Sequence, residues 1–156
     1  MNIRRANLED IPALRPLYDG QLRYMAACQP REYRAIPQNT AFIQGEIENG
    51  VVLLAEKDGA VMGFVSVFME DTGEKAHRVA QRYGTLENIY VQEEYRRKGV
   101  GTALFQSAWD WAKAGGAASM HLMTLAENTR AKTFYESMGM RFLQHVYILE
   151  NDMGWK

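Results

Sequence analysis

Short apolar runs separated by turn residues divide the chain into a succession of predicted strands and helices. Strands are predicted over residues 2–6, 51–56, 61–69, 83–91 and 119–124. Helices are predicted from residue 7 or 10 towards residue 24, and over residues 40–49, 102–114 and 129–138. Because strands and helices are interspersed along the whole chain, the pattern favours an α/β fold with a mixed sheet.

Glycine and proline mark where several of these elements turn or end. Asp58-Gly59 lies between two apolar runs and predicts a hairpin turn over residues 57–60. Gly50 is expected to end the second helix. Pro16 and Gly20 are expected to kink or divide the first helix, since proline removes a helical hydrogen bond.

Two stretches of the chain show no clear periodicity in the spacing of apolar residues. The loop expected over residues 24–37 interleaves charged side chains with apolar ones, which are Tyr24, Met25, Tyr33 and Ile36. Such a loop either carries function or uses its apolar residues to cap the core, and the sequence leaves both interpretations open. Near the chain end we expect residues 140–149 to hold two short strands, with His145 near the break.

The most informative stretch is residues 95–105, which follows a predicted strand and opens a predicted helix. Gly99 and Gly101 have no Cβ, so their N–H groups can approach a ligand closely. The first N–H groups of a helix have no internal partner, and the helix dipole there favours negative charge. A phosphate or pyrophosphate fits such a turn. Three cations precede it, namely Arg96, Arg97 and Lys98.

The order of residues in this stretch excludes two common phosphate motifs. A Walker loop has its Lys and Ser or Thr after the last glycine, whereas Lys98 precedes Gly99. The dinucleotide fingerprint needs three spaced glycines and a later acidic residue, and only Gly99 and Gly101 are suitably spaced. On the loop alone, an ordinary glycine-containing turn stays open as the alternative.

Two motifs resemble those of a known enzyme family. Arg96-x-x-Gly99-x-Gly101 resembles the Arg/Gln-x-x-Gly-x-Gly/Ala loop of the GNAT acyl-CoA N-acyltransferases. The stretch from Asn128 to Met140 resembles that family's Asn-x-x-Ala-x-x-Phe-Tyr-x-x-x-Gly-Phe motif, with Met140 where Phe is usual. The likeness is close from about Leu86 onwards and holds only in outline before it. It implies a single GNAT-type domain over residues 1–156, with a mixed sheet flanked by helices and with splayed central strands, one of which carries a bulge.

The resemblance also implies a binding site for acetyl-CoA. The residues expected to hold its pyrophosphate are Arg96, Arg97, Lys98, Gly99, Val100, Gly101 and Thr102. The backbone of Ile89, Tyr90 and Val91 is expected to pair with the pantetheine amides, and the strand over residues 119–124 would form the other arm of the splay. Asn128 would contact the pantetheine arm or order nearby water, although an Asn at a helix start is also an ordinary N-cap.

Acyl transfer to an amine needs a proton acceptor, a stabilised thioester oxygen and a leaving thiolate. Tyr135, which matches the tyrosine of the family motif, is the candidate general acid, because a phenol stays protonated at neutral pH. Glu87 is the candidate general base or water-positioning residue, since the family often has an acidic residue near this point. The alternatives are a core tyrosine and a solvated strand carboxylate, and His121 and His145 are the alternative bases.

Regular alternation along the strand predicted over residues 83–91 assigns its residues to two faces of the sheet. Glu87 would share one face with Ile89 and Val91, whereas the even-numbered residues from Leu86 to Tyr90 would lie on the other.

Composition narrows the classes of function. The chain has 156 residues, 47% hydrophobic and 24% charged, which fits one domain with a sizeable core. A net charge of −1 provides no basic field for nucleic acid, and the longest apolar stretch, residues 60–69, is too short to span a bilayer. The single cysteine, Cys28, excludes an internal disulfide and fits a reducing compartment. We therefore expect a cytoplasmic protein that binds no metal, nucleic acid or membrane.

These observations predict an acetyl-CoA-dependent N-acetyltransferase that acetylates a primary amine of a small molecule or peptide. Direct attack in a ternary complex is expected, because no cysteine or serine nucleophile is indicated. The alternatives are a non-catalytic acyl-CoA-binding module, an N-acetyltransferase acting on a protein N-terminus or lysine, and a nucleic-acid-binding domain, which the balanced charge opposes. The acceptor stays open, because acidic residues near Glu70 suit a cationic amine whereas the arginines of residues 24–37 suit an acidic one. Dimers are common in the family, so a homodimer agrees with the resemblance.

Overall fold

The computed structural model describes residues 1–148 and shows a five-stranded sheet with helices on both sides. The strands are β1 (Asn2–Arg5), β2 (Val51–Lys57), β3 (Ala60–Asp71), β4 (Arg82–Val91) and β5 (Ser119–His121). The helices are α1 (Ile11–Cys28), α2 (Thr40–Asn49), α3 (Val100–Ala114) and α4 (Thr129–Ser137). The strands lie in chain order, antiparallel from β1 to β4, with β5 parallel to β4. The predicted α/β fold with a mixed sheet is confirmed.

The sheet separates two apolar clusters. On one side, α3 packs against the central strands through residues such as Leu104, which meets the cluster around Val67. On the other side, α1 and α2 cover the sheet, where Leu14, Ile43 and Phe64 are fully buried. Burying a side chain of this size contributes about 1.5–3 kcal/mol to stability. The strand β4 is thereby held between α3 on one face and α1 on the other.

Helix α1 is longer than the sequence pattern predicts. It accommodates Pro16 and continues to Cys28 instead of ending near Tyr24. The reason is local, because no glycine or proline occurs between Gly20 and Pro30 to end the helix. The prediction of a loop from residue 24 is therefore wrong, and Tyr24 lies on the last turns of α1.

The hairpin between β2 and β3 is confirmed at the expected residues. Asp58 and Gly59 both have positive φ, 51° and 80°, as a two-residue hairpin loop of type I′ requires. Helix α2 also has the predicted bounds, because Asn39 caps its first turn and Gly50 follows its last residue.

The pairing of β3 with β4 contains a bulge at Glu87. Ser66 pairs with Asn88 and the next residue of β3, Val67, pairs with Leu86, so Glu87 has no partner in the ladder. The extra residue shifts the alternation of β4 side chains between the two faces of the sheet, so the residues before the bulge lie on the faces opposite to those predicted. Leu86 packs in the same cluster as Ile89 instead of on the opposite face, and the predicted face of Leu86 is wrong for this reason.

The strands β4 and β5 separate soon after they pair. Their ladder ends where Thr85 pairs with His121, and β4 continues to Val91 paired only with β3. The predicted splay of the central strands is therefore present, but β5 ends at His121 instead of at residue 124. Residues 140–148 contain no strand, so the prediction of two short strands there is wrong for this range, and Leu149 lies outside the described residues.

Candidate active site

Helix α3 begins without a side-chain cap from any described residue. Its N-cap is Gly99, which has φ 81° in the left-handed region that favours glycine. The first internal helical bond runs from the N–H of Ala103 to the Gly99 carbonyl, so the preceding N–H groups of Val100, Gly101 and Thr102 have no helical partner. A Cβ on Gly99 would meet no described atom within 4 Å, so the side of the turn that this Cβ would occupy is open.

The end of β4, the start of α3 and helix α4 meet at Gly101. A Cβ built there would lie 3.7 Å from the Phe134 ring on α4 and 3.8 Å from the Val91 side chain on β4. These are ordinary contact distances, so the fold has room for a methyl group at position 101 but little for a longer chain on that side. The two sequence motifs are therefore adjacent in space.

The three cations of the loop have different surroundings. Arg97 and Lys98 are exposed on the loop. Arg96 is turned towards the strand end, where its Nε donates to the Val91 carbonyl at 2.9 Å and its guanidinium lies 5.5 Å from the Tyr90 ring centroid. Arg96 thus ties the loop to β4 through its side chain, and its predicted contact with a cofactor stays a prediction.

The open end of β4 has different neighbours on its two faces. Ile89 and Val91 pack on the α3 side of the sheet, whereas Tyr90 packs on the α1 side. Gly20 allows the close approach of α1, since a Cβ there would lie 2.6 Å from the Tyr90 hydroxyl oxygen. The backbone edge from Leu86 onwards has no pairing with β5, so its free polar groups could hydrogen-bond an extended ligand.

Asn128 caps α4 and also joins it to α1. Its Oδ1 accepts from the Ala131 N–H and from the Tyr24 hydroxyl, both at 3.1 Å. The Arg130 guanidinium lies over the Tyr24 ring, 4.7 Å from its centroid. Because the amide oxygen is occupied, the NH₂ group of Asn128 is the part that can donate to a ligand. No sequence motif marks Tyr24, which the sequence analysis placed in a loop.

Tyr135 lies on α4 against the core beneath α3. Its ring centroid is 5.5 Å from that of Phe134 and 6.4 Å from that of Phe105. Burial raises the pKa of Tyr135 to about 12, so the phenol is protonated at neutral pH. The geometry therefore combines a packed ring with a hydroxyl that can donate a proton or hydrogen bond.

Glu87 is exposed at the bulge, next to a buried polar cluster. Asn88 hydrogen-bonds the buried carboxylate of Glu46 on α2, and Glu46 also receives a bond from Tyr18. No sequence motif marks Glu46. A signal was nevertheless present, since Glu46 takes an apolar-face position one turn after Ile43 in the helix.

The family profile described as Acetyltransferase (GNAT) family matches residues 14–140, which is most of the chain. The chain belongs to the GNAT acetyltransferase family. Enzymes of this family transfer the acyl group of acetyl-CoA, and the resemblance of the loop and α4 motifs to the family's is thereby confirmed. The GNAT assignment makes the chain an acyltransferase, while the roles of single residues stay predictions.

Relatives and solved structures agree with the GNAT assignment. The chain is 29% identical over 141 residues to the N-acetyltransferase YhfO of Bacillus subtilis, covering 89% of each chain. A crystal structure of the BH1408 protein of Bacillus halodurans superposes with a TM-score of 0.91 at 22% identity, over 96% of this chain and 99% of that one. The aminoglycoside N-acetyltransferase AAC(6')-Iy, crystallised in complex with CoA, superposes with a TM-score of 0.71 at 19% identity, over 96% and 98% of the two chains.

The ring contacts of His121 and His145 are with residues other than those at the junction of β4, α3 and α4 in this GNAT fold. His121 stacks on Tyr83 with ring centroids 4.3 Å apart, and its Nε2 is 3.0 Å from the Ser119 hydroxyl, within the paired part of β4 and β5. His145 stacks on Phe142, with ring centroids 5.3 Å apart. Within residues 1–148, no group of three His, Cys, Asp or Glu side chains could hold a metal ion. No helix in that range is long and apolar enough to cross a membrane.

Proposed function

We propose that this GNAT protein transfers the acetyl group of acetyl-CoA to a primary amine of a small molecule or peptide, by direct attack in a ternary complex. The observation that carries the proposal is the uncapped start of α3, which lies against the open end of β4. The uncapped start of α3 suits a phosphate group, and the open end of β4 suits an extended arm that contains amides.

The residues at the start of α3 fit the diphosphate of CoA. The N–H groups of Val100, Gly101 and Thr102 have no helical partner, and no described atom lies within 4 Å of where a Gly99 Cβ would be. Exposed Arg97 and Lys98 add positive charge beside them. The superposition with AAC(6')-Iy, a protein crystallised with CoA, supports the same assignment.

The pantetheine arm would lie along the unpaired edge of β4, where the backbone of Ile89 offers hydrogen-bonding groups, whereas the Tyr90 carbonyl faces Gly63 on β3. The Val91 carbonyl already accepts from Arg96, so we expect this residue to contribute its N–H or its side chain instead. The NH₂ group of Asn128 would donate from the α4 side.

The transfer itself forms one bond and breaks one. The amine nitrogen bonds to the thioester carbonyl carbon, and the carbon–sulfur bond breaks. The proton lost by the amine passes to the Glu87 carboxylate or to water that it orders. The departing thiolate accepts a hydrogen bond from the Tyr135 hydroxyl and takes a proton from water to leave as the thiol, while the proton held by Glu87 returns to solvent.

Direct attack instead of an acyl-enzyme is an expectation that we keep from the sequence, in which no cysteine or serine nucleophile is indicated. The single cysteine, Cys28, is the last residue of α1 and lies beside the Tyr24 hydroxyl. The class of amine, a cytoplasmic location and a homodimeric state are expectations that we keep from the sequence.

The test is a thermal-shift titration with CoA and acetyl-CoA, followed by an acceptor panel that measures release of free thiol. Binding of either ligand should stabilise the wild type by mass action. Gly101→Asp should nearly abolish this stabilisation, because it adds a negative charge next to the N–H groups proposed to bind the diphosphate, on a side with little room for a side chain. Gly45→Asp, which adds the same charge on α2 across the sheet, should retain it.

Each rival function has its own outcome in this test. An absence of stabilisation by both ligands in the wild type contradicts the proposal. Stabilisation without thiol release for any amine indicates a non-catalytic acyl-CoA-binding module. Thiol release only with peptide N-termini or lysine peptides indicates an enzyme that acetylates proteins.

A further inference from the structure

A buried polar cluster lies between the sheet and the two helices that cover its α1 side. We call it the Glu46 cluster; its members are Tyr18, Gln21, Glu46, Ser66 and Asn88. Glu46 is 3% exposed and Ser66 is fully buried, and the surroundings are otherwise apolar. The reaction proposed above uses none of these side chains.

The hydrogen bonds of the Glu46 cluster converge on one residue of β4. Asn88 Nδ2 donates to Glu46 Oε1 at 2.7 Å and is 3.1 Å from Ser66 Oγ, while Gln21 Nε2 donates to Asn88 Oδ1 at 3.0 Å. The second carboxylate oxygen of Glu46 accepts from the Tyr18 hydroxyl. Side chains from α1, α2 and β3 thus fix the orientation of Asn88.

Asn88 is the first paired residue after the bulge. Glu87, directly before it, has no partner in the ladder, and the open edge proposed to bind pantetheine continues directly after it. The unpaired residue of a bulge is free to change direction unless its neighbours are held. The Glu46 cluster supplies that restraint on the side of β4 that faces α1.

Stability alone does not account for a carboxylate at this position. A buried charged or polar group costs free energy that its hydrogen bonds only offset, and a well-packed apolar residue is often at least as stabilising. The neighbouring core positions on α2, Ile43 and Ile47, are apolar. A leucine at position 46 would continue that apolar face.

We propose that Glu46 is a positioning residue for acyl transfer, which holds Asn88 and thereby fixes the bulge that presents Glu87 and the β4 edge beyond it. This proposal rests on the function proposed above. Glu46 does not touch the reacting atoms; it acts through Asn88.

The surroundings of Glu46 determine which substitution imitates it. The titratable groups that act on it are Tyr18 from α1 and Glu87 from β4, while β3 contributes Ser66 and β2 only apolar side chains. Burial raises the pKa of Glu46, the hydrogen bond from Tyr18 opposes this, and the charge of Glu87 raises it further. An uncharged glutamine, which keeps an oxygen for Asn88, should therefore preserve the arrangement.

The experiment compares Glu46→Leu, Glu46→Gln and the control Glu48→Gln, an exposed glutamate on the same helix that bonds only Gln44 among the described residues. With a confirmed acceptor, Glu46→Leu should lower kcat about tenfold or more, with the KM for acetyl-CoA within about twofold of wild type. Glu46→Gln should stay within about threefold in kcat, and Glu48→Gln should be unchanged.

The proposal is overturned if Glu46→Leu keeps the kcat of the wild type, or if the leucine and glutamine variants lose kcat equally. Should the leucine variant not fold, Asn88→Ala decides, because it cuts the link to β4 and leaves the bond of Glu46 to Tyr18. A tenfold loss of kcat in Asn88→Ala supports the proposal and an unchanged kcat overturns it. Wild-type protein without thiol release for any acceptor defeats the proposed function itself, whereas an active wild type with an unaffected Glu46→Leu defeats only this inference.

Discussion

Replacing Tyr135 by phenylalanine removes one hydroxyl and leaves the packed ring in place. The ring lies against Phe134 and Phe105, and phenylalanine can keep both contacts. No described residue hydrogen-bonds the hydroxyl, so the free energy of unfolding should change by no more than about 0.5 kcal/mol. Any large change in turnover then belongs to the chemistry of the hydroxyl.

The size of that change follows from the acidity of the phenol. Burial raises the pKa of Tyr135 to about 12, whereas an ordinary thiol has a pKa of about 8.5. Complete proton transfer from the phenol to a thiolate is therefore uphill by about 5 kcal/mol. We infer that the phenol assists by a hydrogen bond to the sulfur as charge develops, and hydrogen bonds to charged groups contribute about 1.5–3 kcal/mol. Loss of this bond should lower kcat about 10- to 150-fold.

The assay is steady-state release of free thiol from acetyl-CoA with a confirmed amine acceptor. Tyr135→Phe should lower kcat by the stated factor and leave the KM for acetyl-CoA within about threefold, because the bond strengthens only as sulfur gains charge. Tyr83→Phe is the matched control, since the Tyr83 hydroxyl bonds Glu70 in the paired part of the sheet. This control should leave kcat unchanged.

A kcat within about twofold of wild type, with chemistry shown to be rate-limiting, would contradict a chemical role for the hydroxyl. Tyr135 would then be a packing residue that does not stabilise the departing thiolate. An equal loss in Tyr83→Phe would point to a general effect of losing a hydroxyl instead of a role at the site.

Three further predictions concern stability. Gly63→Ala should destabilise the fold by about 1–3 kcal/mol in urea unfolding, because its Cβ would lie 2.5 Å from the Tyr90 carbonyl oxygen. Gly45→Ala, with its nearest contact at 3.8 Å inside α2, should instead stabilise it by about 0.5–1 kcal/mol. The hydrogen bond from Arg4 holds the pKa of Asp10 below its usual value, so this pair stabilises the fold at neutral pH and the contribution is lost as the pH falls through the lowered pKa of Asp10. Asp10→Asn should therefore lose less stability than the wild type as the pH is lowered from neutrality in urea unfolding, and an equal loss would contradict this assignment.

Local signals account for the parts of the fold that the sequence predicts well. The hairpin at Asp58 and the bounds of α2 depend on residues within a few positions, and both are as expected. The length of β5 and the face of Leu86 depend on which residues of neighbouring strands pair with them. An apolar run does not show where its partner separates from it, so neither could be read from periodicity.

The residues of the candidate site also divide into those that local sequence predicts and those that depend on distant neighbours. The glycines of the loop are recognisable because the turn and the start of α3 are formed by consecutive residues. The inward direction of Arg96 is not recognisable, since it depends on the Val91 carbonyl and the ring of Tyr90. Glu46 is an intermediate case, in which a charged residue within an apolar helical face indicates a buried partner without naming it.

The bulge at Glu87 does not change which residues of β3 pair with the two parts of β4 that flank it. Leu86 and Asn88 keep their partners Val67 and Ser66 whether or not a residue stands between them, because those partners are themselves consecutive. A single-residue deletion at position 87 would therefore preserve both flanking halves of the ladder and both apolar faces while straightening the strand. Such a shortened chain would separate the demands of folding from those of catalysis, since it removes an insertion that the core does not require.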